Sequence, residues 1–137
     1  MTGKEKVVLF VCVENACRSL IAESYFQGMR REGWKAISAG TMPAKVASPR
    51  TSAMLKEVGL AVPDHPPQLL TEPIASSASL IVTMGCLDQR VCPAFLRYRV
   101  DEDWDLPDPA SLDDDQFRAL RDEIGKRVTE LVRRLKT

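Results

Sequence analysis

Only one histidine, His65, occurs in the 137 residues of this chain. It offers little as an extra metal ligand. None of the four cysteines falls in the C-x-x-C spacing of a zinc knuckle or a thioredoxin: Cys12 and Cys17 have four residues between them, Cys86 and Cys92 five. A structural zinc site is therefore not expected. No charge excess exists either, because nineteen Lys and Arg balance nineteen Asp and Glu. That removes the global field by which a protein gathers nucleic acid or an anionic membrane surface. No apolar run approaches the ~20 residues that cross a bilayer. The N-terminal MTGKEK leads into a short apolar run without a small-residue cleavage site, so no signal peptide is expected. These absences describe a cytoplasmic protein, expected to be a monomer, with a single catalytic domain over residues 1–137. In a reducing compartment its cysteines are read as buried, metal-binding or catalytic rather than as a disulfide framework.

What the chain does have is the stretch CVENACRS, Cys12 to Ser19, set between an apolar run and a helix-compatible segment. Residues 6–12 read as a buried central strand. A helix over 20–32 follows, capped by Ser19, with Leu20, Ile21, Ser24, Tyr25, Gly28 and Met29 on one face and Gly33 ending it. Residues 34–38 form a second strand closing on Ala39-Gly40. A helix near 49–58 has Pro49 in its first turn and Gly59 beyond its end. Three prolines within 62–70 predict a surface loop. A short helix over 72–78 and a strand over 79–84 come next. Residues 85–97 are expected to be irregular or briefly helical, and a fourth strand is expected around 97–101. The closing helix, about 113–135, places Phe117, Leu120, Ile124, Val128, Leu131 and Leu135 on one face. Acidic residues 113–115 sit at its positive end and Arg133, Arg134 and Lys136 at its negative end. Alternating strands and helices give an α/β three-layer sandwich around a mostly parallel sheet. Sites in such sheets lie beyond the carboxyl ends of the strands, which brings together loops 12–19, 85–93 and 102–110.

The first loop carries the chemistry. At a strand-to-helix junction, the backbone N–H groups of Val13, Glu14, Asn15, Ala16, Cys17 and Arg18 can converge on one anion. The planar guanidinium of Arg18 can grip two oxygens at once. The same positive field favours the thiolate of Cys12, to which Ser19 can donate a hydrogen bond, so no histidine base is needed. An arbitrary Cys-(x)5-Arg would more simply be a buried cysteine and a surface arginine. The strand before, the serine after and the helix beyond favour the nucleophile. Cys17 is expected to be structural, with a redox role as the alternative. Displacement by a thiolate needs an acid for the leaving oxygen. Asp108, held between Pro107 and Pro109, is the candidate and Asp105 the rival.

The loop VCVENACRS followed by IAE, together with SAG, VTM and a late DPA in that order, resembles the low-molecular-weight protein tyrosine phosphatase superfamily. The similarity runs from Lys6 to Leu135 and is closest to the arsenate reductase branch. It implies a four-stranded parallel sheet flanked by helices. It also implies a nucleophile at Cys12, an oxyanion-binding arginine at Arg18, a thiolate-stabilising serine at Ser19 and a general acid at Asp108. Phosphatases of the superfamily carry an aromatic residue after the Asp-Pro pair, where this chain has Ala110. They also lack the pair Cys86 and Cys92. In the thioredoxin-coupled reductases such a pair forms a relay, which implies attack by Cys12 on arsenate, a Cys12–Cys86 disulfide, then a Cys86–Cys92 disulfide open to thioredoxin or a similar external thiol reductant. The pair here is separated by five residues, one fewer than in the best-known members. Some members also bind potassium beside the loop. Asn15, Glu23 and Ser38 match that ligand set, but its aspartate position is Gln68, so no bound cofactor is expected. The expectation is arsenate reduction, with phosphate monoester hydrolysis through a Cys12 phosphocysteine as the alternative. A non-enzymatic oxyanion-binding or redox-sensing module would have no use for Asp108.

Overall fold

The computed structural model describes residues 5–85, 93–96 and 99–135. Cys86, Cys92 and the first half of the strand expected at 97–101 lie outside those residues. Strand β1 (Lys6–Cys12) is the centre of the sheet, and everything after its first residue is buried. Its β-branched and aromatic residues suit a pleated surface covered on both sides. Strand β2 (Trp34–Gly40) pairs with one edge of β1, Cys12 opposite Gly40. Strand β3 (Leu80–Thr83) pairs with the other edge, and β4 (Glu102–Asp103) pairs with β3. All pairings are parallel, in the order β2-β1-β3-β4.

Because side chains alternate along a strand, β1 feeds two cores. Val8, Phe10 and Cys12 face helices α1 (Arg18–Met29), α2 (Pro49–Glu57) and α4 (Asp114–Arg134). Leu9 and Val11 face α3 (Glu72–Ser77) together with Leu70, Ala78 and Leu96. The result is the expected three-layer sandwich. Phe10, Phe26 and Phe117 are fully buried in the larger core, each contributing about 1.5–3 kcal/mol of transfer free energy. Truncating the fully buried Ile124 to alanine would cost about 2–5 kcal/mol. Helix α4 starts at a capping box: Asp113 accepts from the Gln116 N–H, and the Gln116 side chain accepts from the Asp113 N–H.

Five expectations need correction. Ser19 does not cap α1. Cys17 holds that position without a side-chain cap bond, and Ser19 lies inside the first turn with its hydroxyl turned to Cys12. Helix α1 ends at Met29 rather than at Gly33, because Arg30 adopts a left-handed conformation and donates back to Gln27. Gly28 is exposed, whereas Ala22 and Phe26 are buried, so the buried face is wider than the spacing suggested. Among the described residues the last strand begins at Glu102, and residues 99–101 are not part of it. Leu96 and Val100 are used to pack against the sheet face, and Asp101 makes the first bonds to β3, through its own N–H and through its carboxylate to the Ile81 N–H. Finally, 62–70 is more than a surface loop. Leu70 is buried, and its N–H donates to the Gly40 carbonyl while the Gly40 N–H donates to the Gln68 carbonyl, which ties the segment to β2.

Candidate active site

Strand β1 ends at Cys12 and α1 begins at Arg18, so five residues must turn the chain at the carboxyl edge of the sheet. The turn is built by its carbonyls. Those of Cys12, Val13 and Glu14 accept from the N–H groups of Thr41, Met42 and Ala44, at 3.2, 2.8 and 2.9 Å. The Ala16 carbonyl accepts from Ser48 N–H and from Thr51 Oγ1, and that of Cys17 from Ile21 N–H. In a trans peptide the next N–H points opposite to the carbonyl. The N–H groups of Val13, Glu14, Cys17 and Arg18 are therefore turned from these partners toward the cavity that those residues line. Anion-binding geometry follows from where the carbonyls are tied.

Gly40 makes the close approach possible. A Cβ there would stand 2.6 Å from the Val13 carbonyl oxygen and 2.9 Å from the Asn15 nitrogen. Asn15 takes a left-handed conformation, φ 51°, which asparagine tolerates better than most residues. It lies behind the cavity rather than on its wall, and its side chain works inside the loop. Asn15 Nδ2 donates to Ser19 Oγ at 2.7 Å, and Ser19 Oγ lies 2.9 Å from Cys12 Sγ.

The cavity, about 340 Å³, is lined by Cys12, Arg18 and Asp108 among others. Asp105 is exposed and is not on its wall, which separates the two candidate acids. Asp108 opens a 3₁₀ turn, Pro109–Ser111, by accepting from the Ala110 N–H. Arg18 is buried, and its Nη1 donates to the Leu106 carbonyl at 3.3 Å. It rests against Gly85, where a Cβ would be 2.8 Å from Nη1 and where φ is +82°. Both the contact and the backbone favour glycine at that strand end. Burial pushes the Cys17 thiol up to about 12, against the opposing pull of the Thr51 hydroxyl and of Arg18 and Arg50. That keeps Cys17 a neutral thiol.

Below the loop lies a polar network only partly foreseen. Glu23 is 4% exposed. Its carboxylate accepts from the Ser38 hydroxyl and from His65 Nε2, which lies 3.0 and 3.1 Å from its two oxygens. His65 Nδ1 bonds to the Pro66 carbonyl at 2.8 Å. Both ring nitrogens face acceptors, the arrangement of an imidazolium. Burial opposes that charge, but the Pro66 carbonyl and the Glu23 carboxylate prevail, so the His65 pKa is raised. Gln68 completes the network, donating from its backbone to Asn15 Oδ1 and from its side chain to the Ser38 carbonyl. Asn15, Glu23 and Ser38 thus converge as the resemblance implies, yet their oxygens are taken up by Gln68 and His65. These residues do not fit a further cation, since His65 Nε2 already faces both carboxylate oxygens of Glu23. Among the described residues no cluster of three or more His, Cys, Asp or Glu side chains could hold a metal ion.

The family model described as low molecular weight phosphotyrosine protein phosphatase matches residues 7–137. The chain belongs to this family. A curated arsenate reductase of Staphylococcus haemolyticus is 32% identical over 126 residues, covering 92% of this chain and 94% of the relative. A solved thioredoxin-dependent arsenate reductase of Corynebacterium glutamicum superposes with a TM-score of 0.77 at 31% identity, over 96% of this chain and 62% of the other. A low molecular weight protein tyrosine phosphatase of T. tengcongensis superposes with a TM-score of 0.80 at 25% identity, over 96% of this chain and all of the other. Both branches of chemistry therefore occur among proteins similar to this family member. Its fold is that of the low molecular weight phosphatases, and Ala110 lines the cavity directly after the Asp108-Pro109 pair.

Sequence reasoning missed Ser48, Arg50 and Phe117 on the cavity wall. The Ser-Pro-Arg at the head of α2 was read only as a helix start, and nothing in that pattern signals contact with the loop at 12–18. His65 is read from the sequence only as a poor metal ligand. The proline-rich segment brings it back beneath the loop.

Proposed function

We propose that this protein is a thiol-dependent arsenate reductase in which Cys12 is the nucleophile, Arg18 and the loop N–H groups bind the oxyanion, and Asp108 is the general acid. The observation that carries the reading is the meeting of Cys12, Arg18 and Asp108 on one cavity, in a chain that holds Cys86 immediately after the glycine packed against Arg18. Arsenate reductases among its relatives support it.

In the first step the Cys12 sulfur attacks arsenic. A sulfur–arsenic bond forms and an arsenic–oxygen bond breaks, with Asp108 giving its proton to the departing oxygen, which leaves as water. The Ser19 hydroxyl, with its oxygen held by Asn15, is free to donate to the ionised sulfur. In the second step the Cys86 thiolate attacks the Cys12 sulfur. The sulfur–arsenic electron pair passes to arsenic, reducing it from As(V) to As(III), and arsenite departs. Two sulfurs are oxidised in the resulting Cys12–Cys86 disulfide. Cys92 then attacks Cys86, restoring Cys12 and leaving a Cys86–Cys92 disulfide for an external thiol reductant such as thioredoxin. This chemistry belongs to a reducing, cytoplasmic setting, where such a donor is available.

The test is the mass of the intact protein after reaction with arsenate in the absence of a reductant. The expected product has lost two protons, mapped to Cys86–Cys92, with one equivalent of arsenite in solution. An unchanged mass and no arsenite would end this reading. A cavity of about 340 Å³ also has room for an organic ester, which favours phosphate monoester hydrolysis as the second reading. Steady release of para-nitrophenol from its phosphate ester, without arsenate turnover, is the result that would select it.

A further inference from the structure

Helix α2 is tied to the nucleophile loop at its first turn, where Ser48 N–H and Thr51 Oγ1 both donate to the Ala16 carbonyl. Arg50 lies between those residues and reaches the other way. Its Nη2 donates to the Leu112 carbonyl at 2.7 Å and lies 3.2 Å from the Asp114 carboxylate. Its guanidinium lies over the Phe117 ring, 4.6 Å from the centroid. Leu112 closes the 3₁₀ turn that Asp108 opens. Two guanidiniums therefore hold the stretch carrying the acid: Arg18 at Leu106, before Asp108, and Arg50 at Leu112, after it. Asp108 itself is exposed, and its side-chain bond is the local one to Ala110. It has no grip of its own on the rest of the fold among the described residues.

The Nε of Arg50 is buried and has no hydrogen-bond partner among the described residues. An unsatisfied buried donor is costly and calls for an explanation. The position of the guanidinium is dictated by its other end, by the two acceptors of Nη2 and the face of Phe117. The ion pair with Asp114 contributes little, since that carboxylate is 70% exposed. The bond to Leu112 and the stacking on Phe117 set the geometry, a combination that a lysine ammonium does not reproduce.

We propose that Arg50 is a positioning residue for the proton donor. Through α2 it fixes the turn carrying Asp108 relative to the loop carrying Cys12, so that acid and nucleophile face one oxyanion at a set separation. The inference rests on the reading of Asp108 as the general acid.

The experiment compares wild type, Arg50→Met, Arg50→Lys, Asp108→Asn and the double variant Arg50→Met/Asp108→Asn in single turnover with arsenate. Backbone amide exchange is followed over residues 108–112 and 12–18. Arg50→Met is expected to lower the saturating rate about tenfold, part of the 10²–10⁴ that a proton donor supplies, with half-saturation within about twofold. It is expected to add no further loss to Asp108→Asn, as residues acting through one group do. Arg50→Lys is expected to rescue little of the rate. Exchange is expected to quicken at 108–112 and to stay unchanged at 12–18. Weaker saturation at an unchanged rate would overturn the proposal and make Arg50 a substrate contact. So would an additive double variant, or unchanged exchange at 108–112. If wild type itself makes no arsenite, the functional reading fails, and the exchange data still decide whether Arg50 holds the turn.

Discussion

Asn15 Nδ2 donates to Ser19 Oγ, 2.7 Å away, and that oxygen lies 2.9 Å from Cys12 Sγ. The direction matters. Because an amide nitrogen can only donate, the serine oxygen accepts, and its own proton is left for the sulfur.

Replacing Asn15 with Asp reverses that polarity, since a carboxylate takes the serine proton for itself. Asn15→Asp and Ser19→Ala should therefore slow alkylation of Cys12 by iodoacetamide at pH 6 to a similar degree. A hydrogen bond to a charged group contributes about 1.5–3 kcal/mol, so the loss should be roughly tenfold or more. A rate for Asn15→Asp equal to that of wild type would show that the amide does not orient the hydroxyl.

The His65–Glu23 pair should give the fold a pH dependence. The pKa of His65 is raised in the folded state, so its stabilising contribution is fully present below the unfolded value of about 6.5 and is lost as pH rises through the folded value. Urea midpoints of wild type and His65→Gln should differ most at pH 6 and converge at pH 9. A difference that grows toward high pH would carry the wrong sign.

Gly40→Ala should disrupt the nucleophile loop from the neighbouring strand. The new methyl group meets the backbone of Val13 and Asn15 at 2.6 and 2.9 Å, atoms that cannot rotate aside. A destabilisation of about 1–3 kcal/mol is expected from overpacking, together with weaker oxyanion binding by calorimetry. Unchanged phosphate or arsenate affinity would mean that the loop does not need this approach.

Gly85→Ala should act on Arg18 rather than on the core, because its Cβ meets Nη1 at 2.8 Å and its φ is +82°. Half-saturation for the oxyanion should rise several-fold. Intact saturation with only the rate reduced would place the effect elsewhere.

The parallel sheet, the long α4 and the meeting of Cys12 and Arg18 on one cavity were legible because each is local: a continuous apolar run, a 3.6-residue period, a loop between a strand and a helix. Asp108 was separable from Asp105 only in three dimensions, where one lines the cavity and the other does not. The strand expected at 97–101 misled because Leu96 and Val100 have the composition of a strand, whereas the pairing is made by the polar residues Glu102 and Asp103. His65 and Arg50 were not legible as parts of the site. Each acts through a single long-range hydrogen bond or two, and no periodicity or spacing records such a contact.

In the proposed relay Cys12 hands its oxidation to Cys86 and then to Cys92. The decisive experiment is arsenate-dependent NADPH oxidation with thioredoxin and its reductase, on wild type, Cys86→Ser and Cys92→Ser. Wild type should turn over repeatedly, and both variants should stop within one turnover. Sustained turnover by Cys86→Ser would contradict the relay.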